Sequence, residues 1–208
     1  MITYYRAVRQ VARRIASATD HAVEALSEGR VEHEPAMTDR MLGAIEESLR
    51  DFEVNGIRWS AKTLTDRGPA SQESKYGADF VGVLNVDLPA FTISKGFLAQ
   101  AKLIRNKWVD QSPKLKQQCE RMLNLSADSF VFIYAYNGVR VIPAISVLAT
   151  NVDLGYLYSR SVQRFFEEHL QCFIGDRAIQ SATPATLENL RTRLEARNAI
   201  LITGGLEG

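Results

Sequence analysis

The sequence predicts an α/β fold, a central mixed β-sheet flanked by helices, and three observations lead there. Apolar residues at three- and four-residue spacing open the chain, short apolar runs bounded by Gly, Pro and Asn follow, and the two kinds of segment then alternate. With 208 residues, 46% hydrophobic and 24% charged, the chain can bury a sizeable core and falls within the range of a single compact domain.

Val8, Val11, Ile15, Ala22 and Leu26 keep helical spacing, with arginines on the other faces, so the first element is a helix over roughly 3–28, ended by Gly29. A second helix begins near Pro35, since proline suits the first helical position. Its stripe of Met41, Ile45, Leu49 and Phe52 carries it to about Val54, where Asn55-Gly56 stops it. Residues 57–65 read as a strand, followed by a polar loop over 66–76. Two strands come next, at about 78–87 and 91–104, and the segment around Pro89 reverses the chain between them. Ser112-Pro113 is a cap followed by a first-turn proline, and Leu115, Cys119 and Met122 carry a helix to about Leu123. The apolar run 130–134 is a buried strand, and Asn137-Gly138 leads into another over 139–142. The remainder reads as helical around 159–172 and 184–197, with a short apolar end at 199–203. The expected core therefore lies within about 34–143, between an N-terminal helix and a C-terminal helical extension.

Composition narrows the chemistry. Cys119 and Cys172 match no metal-ligand spacing and cannot make a disulfide framework, which argues against zinc and for free thiols in a reducing compartment. No run approaches the length of a membrane span, so the expectation is a soluble cytoplasmic protein. The net charge of +1 hides a local imbalance. From Lys95 to Arg121 seven bases face two acids, whereas from Glu32 to Glu53 seven acids face two bases. On charge alone these are solvated helix faces, yet an acidic element beside a basic one also suits a site for a cation and a polyanion.

Strand phase brings specific residues together. Residues two apart in a strand share a face, so Gln100 and Lys102 project together while Ala99, Ala101 and Leu103 point the other way. Facing positions of an antiparallel pair have a constant sum, and pairing Asp79 with Gln100 puts the midpoint between Pro89 and Ala90, inside the expected reversal. A carboxylate, an amide oxygen and an ammonium at one point can hold magnesium through hard oxygen donors and stabilise charge or position a water. Extending the second helix's stripe backwards from Ile45 through Met41 and Thr38 lands on Glu34, which makes it a third ligand; the alternative is a carboxylate that only suits the helix start.

The order helix with acid, strand, strand with Asp, strand with Gln-x-Lys, helix, strand resembles the PD-(D/E)XK nuclease superfamily, the restriction-endonuclease-like fold. The resemblance spans about 34–136 and rests on Glu34-Pro35-Ala36-Met37-Thr38, Gly77-Ala78-Asp79-Phe80 and Gln100-Ala101-Lys102. It departs where Gly77-Ala78 replaces the family's proline and Gln100 its commoner acid, and the glutamine variant is similar to Mrr-like restriction enzymes. The resemblance implies a metal-dependent DNA endonuclease of the restriction or phage-defence kind, with a repair or recombination nuclease, or a catalytically silent nucleic-acid-binding or assembly subunit, as alternatives. It implies Mg²⁺, with Mn²⁺ able to substitute, held by Asp79, Gln100, Glu34 and the Ala101 carbonyl, with Lys102 orienting the attacking water. DNA is the implied partner, and a homo-oligomer or a place in a larger complex is implied as well; Arg105, Lys107, Lys114 and Lys116 are candidate phosphate contacts, each taken singly better read as a solvated charge. Gln111, Gln117 and Gln118 near the following helix, Trp59 and Trp108 as base-stacking groups, and His33 beside Glu34 are weaker candidates, each better read as surface or packing.

Overall fold

The computed structural model describes residues 2–31, 33–65, 76–104 and 112–206. The chain opens with α1 (Ile2–Ser27), whose stripe of Ala7, Val8, Val11, Ala12 and Ile15 is buried, and α2 (Glu34–Ser48) follows with Pro35 in its first turn. The second helix is shorter than its apolar stripe suggests. Phe52–Val54 forms strand β1, which turns through Asn55 and Gly56, at φ 55° and 73°, to pair Val54 with Ile57 of β2 (Ile57–Thr65). Two successive residues at positive φ make a two-residue hairpin turn, so Asn55-Gly56 joins two strands and does not end a helix.

β3 (Phe80–Leu88) and β4 (Phe91–Leu103) form the expected hairpin, with Phe80 opposite Ala99 and Leu88 opposite Phe91. α3 (Pro113–Leu123) starts at Ser112, whose side chain accepts from Leu115 N, and leads into β5 (Ser129–Ala135) and β6 (Gly138–Pro143). The rest of the chain contains α4 (Ala144–Leu148), β7 (Arg160–Ser161), α5 (Val162–Leu170), α6 (Pro184–Arg193) and β8 (Asn198–Gly205). The last two helices are each a few residues shorter than their apolar spacing suggests. α6 is fixed at its start by a reciprocal Thr183–Thr186 cap and ends before Glu195, which lies at φ 48°.

The eight strands form one mixed sheet in the order β1-β2-β8-β3-β4-β5-β6-β7, flanked by helices on both faces. This corrects the expectation of a core confined to about 34–143. β8 lies in the middle of the sheet, antiparallel to β2 and parallel to β3. Ala199, Ile200, Leu201 and Ile202 are all buried, so the segment shows the continuous apolar run of a strand covered on both faces and no alternation to announce it.

Alternate residues of the strands feed two cores. Phe80, Phe97, Ala99, Ala101, Phe130 and Phe132 pack with α1, α2 and α5, and Phe97 meets Phe165 edge-on at 4.9 Å. Val81, Leu98, Val131 and Ile133 pack on the opposite face with Leu115 and Cys119 of α3 and Leu187 of α6. Among the described residues no helix is long and apolar enough to cross a membrane.

Candidate active site

The site lies at the end of β4, which continues past the start of β3. In this stretch the even-numbered N–H groups of β4 face β5, as when Ile104 N donates to Tyr134 O at 2.8 Å. The odd-numbered groups face β3, and beyond Asp79 that strand has no more backbone to offer them. Two carboxylates take its place. Asp79 Oδ2 accepts from Ala101 N at 2.7 Å, and Glu34 Oε2 accepts from Leu103 N at 2.9 Å. Each acid is thereby anchored by one oxygen to the same strand edge.

The β3–β4 register extends one step to set Asp79 opposite Gln100, and Asp79 N donates to Ala99 O at 2.8 Å. Asp79 shares the sheet face of Val81, and Gln100 and Lys102 share that of Leu98, so the three side chains lie on the side of α3. Gln100 Nε2 donates to Asp79 Oδ2 and, at 3.1 Å, to Ala101 O. That orients the amide, because the reverse arrangement would set its oxygen against a carboxylate oxygen. Gln100 is 2% exposed, and its Oε1 has no hydrogen-bond partner. Lys102 Nζ stands 3.4 Å from Glu34 Oε1, with both side chains about a quarter exposed, at 23% and 28%. Glu34 thus reaches the site from the layer of α2, and the other groups come from the sheet.

Burial pushes the Asp79 carboxyl up to about 6. The Ala101 N–H opposes this, Glu34 adds to it by repulsion, and Lys102 and Arg197 oppose it through their charge. Supporting groups hold the acids in place. Thr38 Oγ1 donates to Glu34 O at 3.1 Å and lies 3.0 Å from Tyr134 Oη, which ties the start of α2 to β5. Tyr134 is fully buried, and burial holds its phenol far above the usual range, so it acts as a neutral hydrogen-bonding group. Gly77, at φ 79°, lies against the backbone of Gln118, where an added Cβ would stand 2.6 Å from Gln118 O. Close contact of this loop with α3 fixes Asp79 at the strand start.

Glu34, Asp79, Gln100, the Ala101 carbonyl and Lys102 are therefore brought together as the sequence predicts. Arg105, Lys107, Trp108 and Gln111 lie outside the described residues. Lys114 and Lys116 sit in the first turn of α3, where Lys116 Nζ donates to Asn151 Oδ1 at 2.6 Å. Trp59 is fully buried beside Tyr4 and is a packing residue, and the His33 side chain makes no cap hydrogen bond at the start of α2. Gln118 keeps a buried Oε1 without a partner.

Sequence reasoning missed Arg197, Asn198 and Asp39. Asn198 N donates to Asp79 O at 3.0 Å, its Nδ2 donates to Asp39 Oδ1 at 3.0 Å, and Arg197 Nη2 stands 3.5 Å from Asp39 Oδ2. No local signal points to them, because they reach the site only through the placement of β8.

Chemically, the set offers two carboxylates, an amide oxygen and a main-chain carbonyl, the hard donors that Mg²⁺ takes. Among the described residues no group of three His, Cys, Asp or Glu side chains is arranged to hold a metal ion, so any cation here would depend on the Gln100 amide. The orphaned Oε1 fits that part. A buried acceptor without a partner costs roughly 1–3 kcal/mol, which a bound cation would offset. Comparison with protein-family models, with curated proteins and with solved structures returned no match to this chain.

Proposed function

We propose that the chain is a Mg²⁺-dependent DNA endonuclease with a restriction-endonuclease-like fold, acting in restriction or phage defence. The observation that carries this reading is the buried, unpartnered Gln100 Oε1 beside an Asp79 whose carboxyl is pushed up to about 6. A buried acceptor without a donor and a carboxyl raised chiefly by burial are both groups that a bound cation would relieve. Asp79, Gln100, Glu34 and the Ala101 carbonyl would hold the cation, which supplies Lewis acidity to the scissile phosphate and lowers the pKa of a bound water.

The chain's own residues do the rest. Asp79 and Glu34 are held by main-chain N–H groups of one strand, so they need little reorganisation when substrate arrives. Lys102, on the Gln100 face and only loosely paired with Glu34 at 3.4 Å, presents an ammonium that can orient a water or stabilise charge developing on phosphate oxygen. Incubation of supercoiled plasmid with the chain in Mg²⁺ is expected to yield nicked and linear DNA, and EDTA or Lys102→Ala is expected to reduce the rate at least about 100-fold. Equal rates in Mg²⁺ and in EDTA, or for the wild type and the Lys102→Ala variant, would refute it.

One observation favours a second reading. Both carboxylates already serve as caps for the free edge of β4, a structural task that a catalytically silent nucleic-acid-binding or assembly subunit would also need. Such a chain would bind DNA without nicking it at any divalent-ion concentration.

A further inference from the structure

The insertion of β8 beside β3 has a chemical consequence. Its first residue, Asn198, pairs with Phe80 on one side and Thr65 on the other, which sets Arg197 beside Asp79 and lets its charge act on that carboxylate. Asp39, five residues beyond Glu34 on α2, is held by Asn198 Nδ2 at 3.0 Å and faces the Arg197 guanidinium at 3.5 Å. This is a loose ion pair. Arg191 and Glu188, by contrast, meet at 2.6 and 2.9 Å through two nitrogens. Arg197 Nε is buried without any hydrogen-bond partner, and Asn198 Oδ1 is buried and unpartnered beside it.

Arg197 and Asp39 line one end of a cleft of about 620 Å³, and Lys62, paired with Glu46 at 3.2 Å, lines the other. Glu46 also accepts from Thr63 N at 2.7 Å, so it is anchored to β2 while the half-exposed Lys62 ammonium can move. Gly43 forms part of the α2 wall, and a Cβ there would meet nothing within 4 Å. The cleft thus holds two partly exposed cations, each in a single ion pair among the described residues, beside the candidate cation site.

We infer that this cleft binds a backbone phosphate of the nucleic-acid strand next to the one being cut, with Arg197 as its main contact and Lys62 as a second, an inference that rests on the nuclease reading. A guanidinium is a planar fork matched to phosphate oxygens, and the exposed end of Arg197, held to Asp39 only at 3.5 Å, can turn that fork to a phosphate in the cleft. Asp39 then acts as a positioning residue, fixing the guanidinium plane while itself fixed by Asn198.

The test is fluorescence anisotropy with a fluorescein-labelled DNA duplex of about 20 base pairs, in Ca²⁺ so that binding is read without cleavage. Arg197→Met is expected to weaken binding about tenfold and to lower the slope of log Kd against log salt by about one. Arg197→Lys keeps the charge and is expected to retain the slope, which separates a phosphate contact from a structural role. The open space at Gly43 allows variants that leave Arg197 intact. Gly43→Glu is expected to weaken binding and Gly43→Lys to tighten it, each by about threefold or more, with Gly43→Ala binding like the wild type. Unchanged affinity and slope in Arg197→Met, without opposed effects at Gly43, overturns the inference, and plasmid nicking by the same preparation then shows the nuclease reading standing without it. A wild-type chain that neither binds nor nicks overturns both.

Discussion

Asp79→Asn removes a charge from a half-buried position while keeping an oxygen to accept from the Ala101 N–H and from Gln100 Nε2. Raising a carboxyl from 3.8 to about 6 corresponds to about 3 kcal/mol at 1.36 kcal/mol per pH unit. The sign follows from proton linkage. Between about pH 4 and pH 6 the folded chain retains a proton that the unfolded chain has lost, so stability falls as pH rises through that window. Above it, an ionised Asp79 without a cation destabilises the fold by about 3 kcal/mol, and the amide does not. Urea denaturation in EDTA at pH 8 should therefore find Asp79→Asn more stable than the wild type by up to about 3 kcal/mol, with the difference nearly gone at pH 4. Mg²⁺ should stabilise the wild type and not the variant, while the variant loses nicking activity. A variant less stable at pH 8, or one whose gain is the same at both pH values, would refute the reasoning, since only a charge effect depends on pH in this way.

Two further outcomes follow from the same geometry. Gln100→Glu replaces the donor to Asp79 Oδ2 with a second carboxylate, so thermal melts in EDTA at pH 8 should show a loss of stability of about 2 kcal/mol or more that millimolar Mg²⁺ or Mn²⁺ restores. A loss that neither ion restores would count against a cation site. Gly77→Ala forces a Cβ to within 2.6 Å of the Gln118 backbone at φ 79°, and denaturant titration should show a loss of about 2 kcal/mol or more. A neutral effect would show that the loop before Asp79 is not held by α3.

What the sequence made legible was local or governed by parity. Gln100 and Lys102 share a face because they are two apart, and the Asp79–Gln100 pairing follows from a hairpin whose turn at Pro89-Ala90 fixes the sum of paired positions. Ser112-Pro113 marks the start of α3 for the same reason, since cap chemistry is contained in adjacent residues. Phe52–Val54 was ambiguous because an apolar residue at helical spacing after Leu49 also suits a strand, and only the left-handed conformation of Asn55 and Gly56 decides between them. The insertion of β8 could not be read at all. Its neighbours β2 and β3 lie more than a hundred residues earlier, and a strand buried on both faces carries no periodicity to say where it pairs. Arg197, Asn198 and Asp39 were lost with it, as their role depends on that pairing.

The capping role of the carboxylates and a catalytic role do not exclude each other. β4 outruns β3, so the N–H groups of Ala101 and Leu103 need acceptors, and Asp79 and Glu34 each provide one oxygen. A neutral acceptor such as Asn or Gln could cap those groups without placing two negative charges close enough for Glu34 to raise the Asp79 pKa. Charge is thus more than the edge of the strand requires. Lys102 and Arg197 offset it, yet both stand at 3.4 to 3.5 Å from their acids, and neither donates to Asp79. The Gln100 amide separates the two accounts. Capping explains the main-chain contacts of both carboxylates, and Asp79 explains why the amide nitrogen points where it does, but neither explains an amide oxygen buried without a donor. A group that brings positive charge to that oxygen would satisfy it and relieve Asp79 at once, and the divalent cation proposed for the site would do both.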